Sequence, residues 1–213
     1  MADKRSVKRN IKKIQHVKSW QIFVVFLLSL FVSATFLRLN NVGMIERRDG
    51  VYHADKVGDE YLIAERLYDL QRYSSEHMNA SSGDVYLDKA YTRDVEKRTK
   101  AAQAANAASS KKSAEILRQA YETCKNRFPG YSLSYTLCVG AEQDKIPANS
   151  IGVTKVDFPP AALYKHSFIS PLWSPDYAGW SVLVSLLLGV AVIVRMLIGA
   201  YLRWQLHRRY RSA

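Results

Sequence analysis

The sequence predicts a mainly α-helical membrane protein: two transmembrane helices flank a long antiparallel extracytoplasmic helical hairpin. A small proline-rich segment, mostly irregular or β, is expected near the membrane. Three observations lead to this fold class. Uncharged apolar runs of 19 and 18 residues lie near the two ends of the chain, basic residues crowd outside both runs, and no proline occurs before Pro129.

The positive charge is concentrated in two terminal segments, although the chain as a whole carries a net charge of +12. Residues 1–18 hold seven Lys and Arg against one Asp, a net +6, and residues 195–213 hold five Arg and no acid, a net +5. A basic excess next to a transmembrane helix marks the cytoplasmic side. We therefore expect both termini in the cytoplasm and residues 39–175 outside.

The basic terminal residues are also expected to contact anionic lipids of the inner leaflet, at about 1 kcal/mol per Lys or Arg. Nucleic acid is the alternative partner for such a charge, but no recognition fold fits into 18 residues, so we expect no nucleic-acid partner. The predicted lipid and topology residues are Lys4, Arg5, Lys8, Arg9, Lys12, Lys13, Lys18, Arg203, Arg208 and Arg209.

The two spans are predicted at residues 19–38 and 176–202, between cytoplasmic tails at 1–18 and 203–213. Each approaches the roughly 20 apolar residues that cross a bilayer, and Trp and Tyr flank both, as at membrane interfaces. Buried core helices are the alternative. Val32 and Ala34 also match a signal-peptidase site, and cleavage there would leave one span. The apolar run continues through Leu37, which favours an uncut anchor.

The region 39–127 predicts the hairpin. Residues 40–80 form the expected first helix and residues 84–127 the second, with apolar or alanine side chains recurring every three or four positions. At about 1.5 Å per residue, each helix would rise about 60 Å. A flexible linker is the alternative for the run KAAQAANAASSKK, but alanine favours helix. The expected alanine stripe comprises Ala101, Ala104, Ala105 and Ala108.

The region 128–175 contains all six prolines, which excludes long helices. The alternating segment YSLSYTL predicts a short strand, and SIGVTKVDF is expected to pair with it. Cys124 and Cys138 are the two cysteines, and an oxidising compartment would permit a disulfide between them. Such a loop contributes about 3 kcal/mol in the chain-entropy model. Two free thiols are the alternative.

Catalytic and metal-binding patterns are missing from the sequence. It contains no GxSxG, P-loop, GxGxxG or HExxH pattern, and its five histidines are dispersed. We therefore expect a non-enzymatic protein with no cofactor and no metal.

Association is expected through the hairpin, because two helices with narrow apolar stripes cover each other on one face only. A homodimer or a hetero-complex with other membrane proteins would supply the missing helices. The residues expected at this contact are Ile63, Leu67, Leu70, Leu87 and Tyr91.

The segment RLNNVGMIERRDGVYHADKVGDE, together with the span before it, resembles uncharacterised two-span membrane proteins of small-genome bacteria. The overall layout is similar to the sensory half of bacterial chemoreceptors. The resemblance covers about residues 19–80 and includes no catalytic motif. The leading hypothesis is a scaffold or accessory subunit of an envelope complex. The alternative is an extracytoplasmic ligand sensor, which would signal through a partner because few residues follow the second span.

Overall fold

The computed structural model describes residues 19–107, 111–146 and 155–211. Within these ranges the protein is mainly helical, with six α-helices and one small antiparallel sheet. The helices are α1 (Ser19–Val57), α2 (Glu60–Glu76), α3 (Asp88–Ala107), α4 (Lys111–Arg127), α5 (Leu133–Asp144) and α6 (Tyr177–Arg211). The strands are β1 (Gly83–Tyr86) and β2 (Lys165–Phe168), the second preceded by a 3-10 turn at Ala161–Tyr164.

Two of these helices, α1 and α6, are long and apolar enough to cross a membrane. Only 6% of the most apolar stretch of each is buried, so these side chains do not form the core of a soluble domain. Phe31 is 74% exposed and Leu186 is 64% exposed. The prediction of two apolar membrane-length helices is therefore confirmed. Helix α1 continues without a break past residue 38, the predicted end of its span, to Val57.

The chain divides into two compact units. The span unit comprises the described parts of residues 1–44, 73–81 and 170–213. The helical unit comprises residues 45–72 and the described parts of 82–169. Each unit is assembled from segments that are distant in sequence.

The predicted continuous helix over residues 40–80 is wrong, because the chain turns at Gly58. This glycine has a φ of +85°, a left-handed conformation that ends α1 at little steric cost. The carboxylate of Asp59 then accepts hydrogen bonds from the N–H groups of Tyr61 and Leu62 and starts α2. A helix stop and a helix start are thus adjacent in the sequence VGDE.

After this turn, α2 runs back beside the last part of α1. The Arg47 guanidinium lies 3.3 Å from the Asp69 carboxylate, and Gly50 faces the aliphatic stem of Arg66. The predicted second helix over 84–127 is also interrupted, since β1 occupies 83–86 and α3 and α4 are separate helices. Residues 108–110, which include Ala108, lie outside the described residues.

The two-stranded sheet joins residues that lie 79 to 85 positions apart in the sequence. Strands β1 and β2 are antiparallel, with Gly83 opposite Phe168 and Tyr86 opposite Lys165. The strand predicted at YSLSYTL is wrong, because this segment opens helix α5. Its expected partner SIGVTKVDF lies partly outside the described residues, and residues 155–158 form no strand.

Helix α5 forms because Ser132 caps it and because its buried residues follow helical spacing. The Ser132 hydroxyl accepts from the N–H of Tyr135 at 3.3 Å. Tyr135, Val139 and Gln143 are buried at intervals of four residues. Alternation of polar and apolar residues over a few positions fits a strand as well as a helix. The Ser132 cap and the four-residue spacing of the buried side chains favour the helix.

The core of the helical unit lies between α3, α4 and α5. Ala102 and Asn106 are the buried residues among the described side chains of the alanine-rich segment, at 7% and 2% exposure. The Asn106 amide donates to the Ala102 carbonyl at 2.7 Å. The expected alanine stripe is therefore wrong, since Ala101, Ala104 and Ala105 are exposed. The buried cluster comprises Tyr91, Val95, Ala102, Leu117, Tyr121, Cys124, Tyr135, Val139, Ile146 and Val156.

Candidate functional site

The two cysteines form the predicted disulfide. Cys124 and Cys138 are bonded, with their Cα atoms 5.8 Å apart. The bond joins the end of α4 to α5, and the Cys124 side chain is fully buried in the core. Burial in apolar surroundings indicates a structural bond rather than a redox centre.

The residues predicted for association are covered within the single chain. Ile63 and Leu70 are 7% and 0% exposed, and Leu87 and Tyr91 are 6% and 1% exposed. Leu67 is half-buried. The predicted hairpin has no further helices to cover these residues. In the structure, α2 turns back onto α1, and α3 packs against α4 and the 3-10 turn. The chain itself supplies the cover that was assigned to a partner.

The opposite face of α2 is exposed and carries two tyrosines. Tyr61 is 80% exposed and Tyr68 is 66% exposed, and Val57, just before the turn, is 60% exposed. Residues seven apart lie on one face of a helix, and residues two apart lie on opposite sides. The face defined by Tyr61, Ala64 and Tyr68, here called the tyrosine face, thus points away from the buried Ile63 and Leu70. Sequence reasoning missed it, although the seven-residue spacing was visible.

Asp55 forms a buried polar junction between α1 and α3. Its carboxylate accepts from the N–H groups of Lys89 at 2.9 Å and Ala90 at 2.7 Å. The Arg93 guanidinium lies 3.4 Å from the same carboxylate and also donates to the Asp55 carbonyl at 2.7 Å. The carboxylate therefore caps a helix that begins 33 positions later in the sequence.

Burial raises the pKa of four tyrosines of the helical unit, Tyr86, Tyr121, Tyr135 and Tyr164. Burial raises the pKa of Tyr135 to about 12. Burial, together with a hydrogen bond to the negative Asp94 carboxylate, raises the pKa of Tyr164 to about 12. Both of these phenols stay protonated near neutral pH, and the Tyr164 hydroxyl donates to the Asp94 carboxylate. Across the described ranges, no group of three or more His, Cys, Asp or Glu side chains is placed to hold a metal ion.

A groove of about 320 Å³ lies between α4 and α5. The two charged side chains in it, Glu142 and Lys145, form an ion pair at 2.6 Å. Each charge in this groove already has a partner of opposite sign. The lining residues are Ile116, Gln119, Ala120, Thr123, Glu142, Lys145 and Ile146.

The span unit is held together by polar contacts. Asn40 of α1 donates to the Asp176 carboxylate at 2.7 Å and to the Met78 carbonyl at 3.1 Å. Asp176 also accepts from the Ser174 hydroxyl and from the N–H of Gly179, both at 2.8 Å. These bonds fix the start of α6 beside α1. Further along, the two helices share a buried hydrogen bond of 2.8 Å between the hydroxyls of Ser33 and Ser185.

The predicted lipid and topology residues are only partly described. Arg203 and Arg208 are exposed on α6, and the Arg208 guanidinium lies 5.2 Å from the centre of the Trp204 ring. The Arg209 side chain lies outside the described part of the chain, as do Lys4, Arg5, Lys8, Arg9, Lys12, Lys13 and Lys18.

No protein-family model, curated protein or solved structure matches this chain.

Proposed function

We propose that this is a non-enzymatic integral membrane protein whose extracytoplasmic helical unit mediates protein–protein association. It would act as a scaffold or accessory subunit of an envelope complex, as a homodimer or with other membrane proteins. The observation that carries the proposal is the tyrosine face of α2, which is exposed among the residues that the structure describes.

The membrane arrangement of this proposal has both termini in the cytoplasm and the helical unit outside. Helices α1 and α6 have the length and apolar surface for two spans. The basic excess of +6 and +5 at the ends of the chain supports the orientation. The buried disulfide supports an external position for the helical unit, because such bonds persist in oxidising compartments.

The tyrosine face has the composition of a protein-binding surface. Tyrosine is enriched in protein interfaces and often supplies a large part of their binding energy. Tyr61 and Tyr68 stand one above the other on an exposed helix, with the small Ala64 and the charged Glu65 between them. A partner helix or sheet edge could pack between the two rings, with polar contacts at the rim. The partner would be a second copy or another membrane protein.

Ligand sensing is the second candidate function, and the groove between α4 and α5 is the observation in its favour. Its Gln119 and Thr123 side chains could bind a small polar ligand. The internal pairing of Glu142 with Lys145 leaves less unpaired charge for such a ligand. The exposed aromatic surface therefore supports the scaffold more strongly than the groove supports the sensor.

Site-specific crosslinking in native membranes tests the association. The native cysteines are bonded to each other, so an added cysteine is the one free thiol. We expect Ala64→Cys to give a disulfide-linked dimer or a maleimide crosslink to another protein, and Lys97→Cys, on the exposed side of α3, to give neither. Absence of any adduct at position 64 would contradict the proposed surface.

A double substitution then tests the two rings. Tyr61→Ala combined with Tyr68→Ala should abolish the complex and leave helix content unchanged, because both side chains are exposed. Leu163→Ala is the matched control, since Leu163 is 68% exposed elsewhere in the helical unit. A complex that survives the double substitution, or one that is lost equally with the control, would contradict the proposal.

A further inference from the structure

The loop that leads into α6 exposes apolar side chains of the span unit. It comprises residues 171–175 and is called here the tryptophan loop. Leu172 is 100% exposed and Trp173 is 47% exposed. Tyr177 and Trp180, on the first turn of α6, are exposed as well, at 79% and 55%. The loop and the beginning of the helix thus carry four exposed apolar or aromatic side chains within a short stretch of chain.

The tryptophan loop folds back along the beginning of α6 instead of leading away from it. The Trp173 and Trp180 rings meet edge to face, with their centres 5.9 Å apart. The backbone carbonyl of Ser174 and the Trp173 indole nitrogen fill the space where a side chain at Gly179 would lie. Trp180 is the fourth residue of α6, about 4.5 Å along the helix from Tyr177. The loop therefore lies level with the first turn of this apolar helix.

The charge nearest to the loop in the sequence is held by hydrogen bonds within the protein. Asp176 is the one Asp, Glu, Lys or Arg in the sequence from residue 167 to residue 194. Its carboxylate accepts from the Asn40 amide at 2.7 Å and from the Ser174 hydroxyl and the N–H of Gly179 at 2.8 Å. Both ends of the loop are prolines, which have no N–H group that needs a partner. These features lower the cost of placing the loop against an apolar medium.

We propose that the tryptophan loop is inserted into the lipid interface on the extracytoplasmic side, beside the first turn of α6. Leu172 contacts acyl chains, and the indoles of Trp173 and Trp180 lie at the headgroup level, which suits an apolar ring with a polar N–H. The occupant is lipid because the loop continues the apolar surface of α6, of which only 6% of the most apolar stretch is buried. This inference rests on the membrane-spanning arrangement proposed above and is independent of association through α2.

Spin labelling of the full chain in phosphatidylcholine vesicles tests the insertion. Leu172→Cys adds one free thiol for a nitroxide label, because the native cysteines are bonded to each other. Electron paramagnetic resonance then measures how strongly the label is relaxed by oxygen, which concentrates in lipid, and by a water-soluble nickel chelate present on both sides of the membrane. The oxygen-to-nickel ratio reports depth. Lys97→Cys, exposed on α3, is the control in water, and Leu186→Cys, 64% exposed on α6, is the control in lipid.

We expect the oxygen-to-nickel ratio at position 172 to lie between the ratios of the two controls. A ratio equal to that of the Lys97→Cys label would place the loop in water and overturn the proposal. A label at position 172 that neither oxygen nor nickel can reach would also overturn it, since a protein surface and not lipid would then cover the loop.

A second substitution tests whether the aromatic side chain holds the loop in the lipid. Trp173→Asp, added to the labelled Leu172→Cys chain, should lower the ratio at position 172 to that of the Lys97→Cys control. Loss of one buried aromatic side chain shifts an insertion equilibrium by about tenfold or more. Trp173→Phe keeps an apolar ring and should leave the ratio nearly unchanged. A ratio that stays the same with Trp173→Asp would overturn the proposal.

The label at position 186 separates failure of the loop from failure of the proposed function. A Leu186→Cys label that the nickel chelate reaches as easily as the Lys97→Cys label would show that α6 does not lie in the bilayer, and both proposals then fall. A Leu186→Cys label in lipid combined with a Leu172→Cys label in water refutes the insertion of the loop alone.

Discussion

Replacing Asp55 with alanine should destabilise the helical unit by about 2–4 kcal/mol. Loss of a helix N-cap typically costs about 1 kcal/mol, and hydrogen bonds to charged groups contribute about 1.5–3 kcal/mol. The Asp55 side chain is 4% exposed, so water cannot replace its two bonds to the start of α3. The Arg93 guanidinium would also lose its carboxylate partner.

Asp59 offers a matched comparison, because it caps α2 with the same chemistry at an exposed position. We expect Asp59→Ala to cost about 0.5–1 kcal/mol. Asp55→Asn should fall between the two alanine variants, since asparagine can still cap but carries no charge for Arg93. The free energies come from urea unfolding of the full chain in detergent, with hydrogen exchange of the α3 amides as the local readout. Equal losses for Asp55→Ala and Asp59→Ala would refute the reasoning.

Three further perturbations follow from the structure. Replacing both Cys124 and Cys138 with alanine should lower the free energy of unfolding by about 3 kcal/mol. Denaturation of the original protein with and without reductant checks this value, and a variant as stable as the oxidised original protein would contradict it. The pKa of Tyr164 is raised from 10.0 to about 12 in the folded protein. The stabilisation that comes from protonated Tyr164 is therefore complete below pH 10 and is lost as the pH rises toward 12. Tyr164→Phe should make the free energy of unfolding less dependent on pH in this range, as measured by unfolding at alkaline pH. Gly179→Ala should disrupt the start of α6, because the new Cβ would lie 1.8 Å from a backbone carbonyl oxygen, whereas Gly140→Ala meets nothing within 4 Å. Thermal unfolding in detergent should separate these two glycine variants, and equal melting temperatures would contradict the described turn.

The features that the sequence predicted correctly depend on local composition. Two uncharged runs of membrane length identify α1 and α6 without knowledge of any tertiary contact. The disulfide pairing followed because Cys124 and Cys138 are the two cysteines of the chain and both lie in the predicted external part, residues 39–175. Neither prediction required knowledge of how the chain folds between α1 and α6 or between the two cysteines.

The features that could not be predicted from the sequence depend on residues that end or begin a helix, or on contacts between segments that are distant in the sequence. The predicted helix over residues 40–80 passes through Gly58, but Gly58 ends one helix and Asp59 begins the next. The pairing of β1 with β2 joins segments about 80 residues apart, and four-residue strands carry little signal of their own. The cap that Asp55 provides for α3 is equally non-local, so the sequence near Asp88 could not reveal it.

The error about the association residues had a single cause. A hairpin of two long helices leaves half of each apolar stripe without cover, so Ile63 and Leu70 were assigned to a partner. Once the chain turns at Gly58, the same residues become internal. The exposed tyrosines then become the surface that needs an explanation.

The most direct test of the central claim is thiol labelling of intact cells. Lys97→Cys in α3 and His207→Cys in α6 each add one free thiol at an exposed position, because the native cysteines are bonded to each other. A membrane-impermeant maleimide should label position 97 in intact cells and position 207 only after permeabilisation. Labelling of position 207 from outside, or protection of position 97 until the membrane is opened, would contradict a two-span protein with its helical unit outside the cell membrane.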